Sequence, residues 1–368
     1  MRYFLPVLSL VVFWNSLPCP AAPIVELVQG DRAFRGSPVV HNEELCWLAE
    51  PSGRHQRINL LHVTDFRKIP GEFRAWSATE LASQISKTLD AGQEVQVRGD
   101  FVVVAPQGRG RGYASLLEQT SRSFFGYFAR RNMTLKRPEF PLVVHVHSSK
   151  QAFDDHCRDD GFAVSPLLQG YYSPGKNTVI MYDKQIDSNT AQITAPGYSS
   201  TDSIDPAIQD TVIHETIHQL AFNTGLHSRI GQNPRWVVEG LAMMLEAEGV
   251  RRSTGGTPQE LANPERLFWF HQMRARNLQI PLAEFVADDS GAFRTSVLNA
   301  YAQAWAVTFY LAQTRPGDYR RYLQKIADRN PLSEEYTSRE RLADFQASFG
   351  SDIGLLDSRF LRYIDGLQ

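Results

Sequence analysis

"TVIHETIHQL", residues 211–220, sets two histidines four residues apart with a glutamate directly after the first. Four residues is slightly more than one helical turn, so on a helix His214 and His218 stand on one face. Two imidazoles one turn apart can both reach a single Zn2+ at about 2.0–2.1 Å. Glu215 lies about 100° around the helix from His214, poorly aimed as a ligand and close enough to take a proton from water on the ion. This is the H-E-x-x-H arrangement, with the glutamate as general base. In a chain of this length it arises by chance in roughly one sequence per hundred.

The flanking residues favour a helix. Asp205 suits the N-cap, Pro206 the first helical position and Gly225 the end, which predicts a helix over about 206–223. Ile213, Ile217 and Leu220 form a separate apolar stripe that should bury the helix while the histidines face a cleft.

A catalytic zinc usually has three protein ligands and one open position. "NPRWVVEGLAMMLEAEG", residues 233–249, reads as a second helix capped by Asn233 with Pro234 first. Glu239 lies one turn in, 21 residues after His218, and is the expected third ligand. Glu246 and His227 are rivals for that place. Gly240, inside the helix, costs about 1 kcal/mol relative to alanine. Close packing of this helix against the first would account for it. The H-E-x-x-H-x-x-G-x-x-H spacing fails, because Ala221 and Thr224 stand where the glycine and third histidine belong.

The rest of the chain sets the frame. At 368 residues, 42% hydrophobic and 21% charged, it reads as a folded protein of two domains. A formal net charge of −2 with no long basic run makes nucleic acid or an anionic membrane surface an unsuitable main partner. The N-terminus reads as an export signal over residues 1–22: Arg2, the apolar run "FLPVLSLVVFW", then "CPAAP" with cleavage near Ala21 or Ala22. The run is too short to span a membrane, which needs about 20 apolar residues. An uncleaved N-terminal anchor is the other reading of this segment. Cleavage removes Arg2 and Cys19, leaving 37 basic against 40 acidic residues, a net −3. Cys46 and Cys157 then remain, as a disulfide or as two buried thiols.

Residues 23–75 read as a small β-rich module, with extended runs around the turn "EPSG". From residue 76 onward the pattern changes. "SATELASQISKTLDAG" reads as a helix capped by Ser77 and Glu80, with Gly92 past its end. "DFVVVAP" reads as a strand. The "QGRGRG" after it lacks the third glycine of a dinucleotide loop and any Walker lysine, so it is expected to be a flexible surface connection. A helix in "SLLEQTSRSFFGYFARRN", strands in "PLVVHVHSS" and "NTVIMYD", and a largely helical C-terminal third complete an α+β chain.

With these residues in view, H-E-x-x-H followed by W-x-x-E-G-x-A resembles the gluzincins, the metallopeptidase superfamily whose third zinc ligand is a glutamate on a following helix. More closely, the chain is similar to a bacterial family of secreted, peptidase-like proteins. The matching stretches are "FVVVAP", "FPLVVHVHSS", "GYYSPGKNTVIMYD", "HETIHQLAFNTGLHSR", "PRWVVEGLA" and "AYAQAWAVTFYL", in that order from about residue 75. The resemblance implies a zincin-like domain over 76–368: a mixed sheet, a zinc helix and a helical lobe. It implies His214, His218 and Glu239 as ligands of one zinc and Glu215 as catalytic base. It implies hydrolysis of a peptide or protein substrate outside the cytoplasm or in the cell envelope. "NTVIMYD" is expected to be the edge strand that pairs with an extended substrate. Tyr301, at the head of "YAQAWAVTFYL", is the first choice for a transition-state donor, ahead of His271 and Tyr172. The alternatives are a non-catalytic binding or scaffold protein of the same fold, and a zinc hydrolase of other amides.

Overall fold

Apolar residues alternate along Pro23–Gln29 (β1), which puts Val25 and Leu27 on one buried face. A computed structural model describes residues 22–166, 168–183, 204, 206–252, 256–333 and 335–367. The export segment and the Asp205 cap expected from the sequence lie outside the described residues. β1 pairs with Arg32–His41 (β2) and with Asp65–Glu72 (β5). Leu45–Ala49 (β3) and His55–Asn59 (β4) flank the EPSG turn and extend the sheet to the order β4-β3-β2-β1-β5, antiparallel throughout. Its small core is Val25, Leu27, Cys46, Leu48 and Ile58.

The second sheet begins after Ala78–Ile85 (α1). That helix starts at the predicted capping box of Ser77 and Glu80 but stops well short of Gly92, giving way to a 3-10 turn at Ser86–Thr88. Gln93–Arg98 (β6), Phe101–Pro106 (β7), Leu142–His147 (β8), Gly170–Ser173 (β9) and Thr178–Tyr182 (β10) make the order β6-β7-β8-β10-β9. β7, β8 and β10 are parallel, and the outer strands β6 and β9 run antiparallel to them. Strands covered on both faces should be nearly all apolar, as "FVVVA" is.

The two faces hold different helices. Gly110–Ala129 (α2) and Pro206–Asn223 (α4) cover one, packing on Val103, Val144, Val146, Val179 and Met181. α1 and Lys150–Asp159 (α3) cover the other, against Val102, Val143 and Ile180. The QGRGRG stretch is not a flexible connection throughout. Its second glycine, Gly110, opens α2 and is buried, with its N–H donating to Glu94 Oε1 at 2.7 Å.

The remaining chain is helical: Arg235–Glu246 (α5), Pro264–Ala275 (α6), Val297–Thr314 (α7), Pro316–Ala327 (α8), Ser338–Phe349 (α9) and Ile353–Asp365 (α10), with shorter turns between. The result is an α+β chain with a β-rich N-terminal region and a helical C-terminal region. The two sheets touch through His55 N–H donating to Gly175 O at 2.7 Å, and Arg229, in the loop after α4, donates to Gly53 O at 2.5 Å. Cys46 and Cys157 are free, buried thiols in separate cores. Among the described residues no helix is long and apolar enough to cross a membrane.

Candidate metal centre

α4 occupies the residues its flanking signals predict, with Gly225 (φ +85°) just past its end. Ile213, Ile217 and Leu220 are buried in the main core, which fixes the rotation of the helix. Gln219 locks its position along the sheet by donating to Val143 O at 2.9 Å and Asn177 O at 3.0 Å. His214 and Glu215 consequently face a cleft of about 540 Å3, whose lining includes Gly170 of β9 and Tyr301 of α7.

α5 delivers Glu239, but not as its cap residues predict. The helix begins at Arg235, and Asn233 does not cap it. Asn233 instead ties the preceding loop, accepting from Ser228 N–H and donating to Ser228 O. The helix N-terminus is satisfied from a distance: Trp236 N–H donates to Asp289 Oδ2 at 2.6 Å, and Arg341 holds the other oxygen of Asp289 at 2.8 Å. Gly240 does mark a close helix contact, but the partner is α7 rather than α4. A Cβ there would lie 2.2 Å from Thr308 Oγ1 and 2.5 Å from Ala304 O.

Three atoms converge between these helices. His214 Nε2 lies 3.0 Å from His218 Nε2. Glu239 Oε2 is 3.4 Å from the first and 3.5 Å from the second. Oε2 is buried and makes no hydrogen bond of its own. Ligands of a tetrahedral zinc with bonds of 2.0–2.1 Å stand about 3.3 Å apart. The donor set and its triangle therefore fit such an ion, and one bound there would give the buried oxygen its partner.

Glu246, considered from sequence as a rival ligand, has a different place. Its Oε2 lies 2.8 Å from His214 Nδ1, and its Oε1 accepts from Asn263 Nδ2 at 2.9 Å. A proton on Nδ1 directed at this carboxylate leaves Nε2 with a lone pair aimed at the cluster. The legible signal was spacing: Glu246 follows Glu239 by seven residues, two turns along the same face. His227, the other rival, lies outside the cluster, packed edge-on against Phe222.

The electrostatics follow from burial and pairing. Burial pushes the His214 imidazole towards its neutral form, but the Glu239 and Glu246 carboxylates more than reverse this and leave its pKa well above the usual value. Burial likewise pushes Glu239 up, and the adjacent His214 and His218 imidazoles bring it far below the carboxylate range. For Glu215 burial prevails over the opposing histidines and its pKa is raised. The Tyr172 backbone on β9 also favours the charged form, without cancelling the rise.

The strand next to the centre is β9, the sheet edge. "NTVIMYD", expected at that edge, is the interior strand β10, hydrogen-bonded on both sides. Chain order does not reveal this, because β9 is laid down before β10 and folds back outside it. Tyr301 lines the same cleft as His214 and Glu215. Burial and the nearby Glu239 carboxylate raise its phenol pKa. The Tyr172 hydroxyl is engaged elsewhere, donating to Asn177 Oδ1 at 2.9 Å. His271, on α6, is not among the residues lining the cleft.

Fold and site thus define an α+β chain with a half-buried cluster of two imidazoles and one carboxylate beside a buried glutamate. Residues 208–333 match a family described as Protein of unknown function (DUF1570), a stretch that carries His214, Glu215, His218, Glu239, Glu246 and Tyr301. No curated protein matches the chain.

Proposed function

We propose that this protein is a zinc-dependent metallopeptidase with a zincin-like domain over residues 76–368, acting outside the cytoplasm. The observation that carries the reading is the convergence of His214 Nε2, His218 Nε2 and Glu239 Oε2 within 3.5 Å of one another, with Glu215 buried alongside. A zinc ion bound there would polarise a peptide carbonyl and lower the pKa of a water towards about 7.

The chain's own groups do the rest. Glu246 holds the His214 proton on Nδ1. Glu215, its pKa raised by burial, takes the proton of the attacking water and passes it to the leaving amine. The open edge of β9 offers backbone groups to an extended peptide lying across the cleft. Tyr301 is the donor to the developing oxyanion. Export rests on the apolar N-terminal segment, ahead of the β-rich region.

The test is a peptide-library digest by the zinc-loaded protein beside Glu215→Gln. The reading expects cleavage by the first alone, with equal zinc in both. Equal cleavage by the two would remove Glu215 and this centre from the reaction.

A further inference from the structure

His145 and His147 stand two residues apart on β8, so both project from the same face of the sheet. It is the face opposite α4, because the alternate residues Val144 and Val146 pack in the core beneath that helix. The two rings stack with centroids 4.3 Å apart. α3 crosses this face and brings His156 against them, with its Nδ1 3.0 Å from His147 Nε2. One ring nitrogen from each of the three lies within 4.8 Å of the others. Two partners compete weakly for these nitrogens. Gln93 Nε2 is 3.4 Å from His145 Nε2, and Asp160 Oδ1 is 3.9 Å from His156 Nε2.

The place in the fold is equally specific. β7 leads into α2 on one face of the sheet, whereas the adjacent parallel β8 leads into α3 on the other. In open sheets of this kind the crevice beyond the carboxyl ends of two such strands is where ligands bind. His145 and His147 sit at that end of β8, and Pro106 ends β7 beside them. Together with Gln93 and His156 they line a cleft of about 600 Å3, whose rim includes Asp90, Asp155 and Asp159. Two imidazoles on a strand otherwise made of leucine and valine, met by a third from α3, are poor packing groups, and imidazole is a ligand suited to zinc and its first-row neighbours.

The geometry points to a second metal site, in which His145, His147 and His156 bind one divalent transition-metal ion of the zinc class, with a coordination position open to the acidic cleft. The separation of 3.0 Å between the His147 and His156 nitrogens is already close to the about 3.3 Å of ligands on a tetrahedral ion. Rotation of the His145 ring brings in the third. This site and the cluster on α4 and α5 lie on opposite faces of the sheet, so the two fill independently.

The test is zinc stoichiometry of the purified full-length chain, by equilibrium dialysis against Zn2+ and elemental analysis. The wild type should hold about two ions, and His156→Gln about one. His214→Ala/His218→Ala should also hold about one, and combining it with His156→Gln should leave none. Cobalt absorption in the His214→Ala/His218→Ala protein should then disappear on adding His156→Gln or, independently, His145→Gln. A wild type that holds a single zinc, lost in His214→Ala/His218→Ala and kept in His156→Gln, overturns the proposal. That outcome would leave the hydrolytic centre intact, so the two readings fail separately.

Discussion

Nδ1 of His214 and Oε2 of Glu246 stand 2.8 Å apart, and Asn263 holds the other oxygen of the same carboxylate. This pair decides which face of the imidazole the cluster receives.

Glu246→Gln keeps the size of the side chain but weakens its grip on the Nδ1 proton. Zinc affinity at the α4–α5 centre should fall about 10–100-fold, as is typical when the partner of a metal-ligating histidine is changed. Competition titration against a zinc chelator measures it. Unchanged affinity would show that Glu246 does not position His214.

Tyr301→Phe removes a hydroxyl from the cleft that holds Glu215. Loss of one oxyanion donor costs about 100-fold or more in kcat. Zinc content should be unchanged, because Tyr301 is not among the clustered ligands. A kcat equal to that of the wild type would remove Tyr301 from the reaction.

Gly240→Ala places a methyl against Thr308 Oγ1 and the Ala304 carbonyl. Overpacking costs about 1–3 kcal/mol, against about 1 kcal/mol regained in helix propensity. We expect net destabilisation of about 1 kcal/mol, read as an earlier midpoint in urea. A stabilised variant would mean that α5 and α7 separate easily, contrary to the packing described.

His55, at the contact between the two sheets, has its pKa lowered to about 3, by burial first and the Arg229 charge second. The unfolded chain, with an ordinary histidine value near 6.5, binds the proton more readily than the folded one. The stabilising difference is present above about pH 6.5 and is lost as the pH falls towards 3. From pH 7 to 4.5 this one group should remove about 2 kcal/mol of stability. His55→Asn should flatten that part of the urea-midpoint profile, and an unaltered slope would place the acid sensitivity elsewhere.

What could be read from residues alone was what depends on near neighbours. The four-residue spacing of His214 and His218, the bounds of α4 and the Ser77–Glu80 cap are local geometry, so they are legible in order along the chain. Glu239 was legible because its helix follows the first closely in sequence and one turn of helix sets it early in α5. Asn233 misled because a side chain that suits a cap also suits a loop, and only the fold brought Asp289 within reach of Trp236.

The sequence by itself determined the helices, the apolar strands and the chemical types available for a metal: imidazole and carboxylate at helical spacing. Tertiary structure alone decided that β9 rather than β10 forms the edge, that Gly240 serves α7, that Glu246 supports a histidine, and that His156 meets His145 and His147. The reason is physical. Periodicity encodes which face a side chain takes, whereas partners distant in sequence are chosen by how whole faces pack to bury apolar surface.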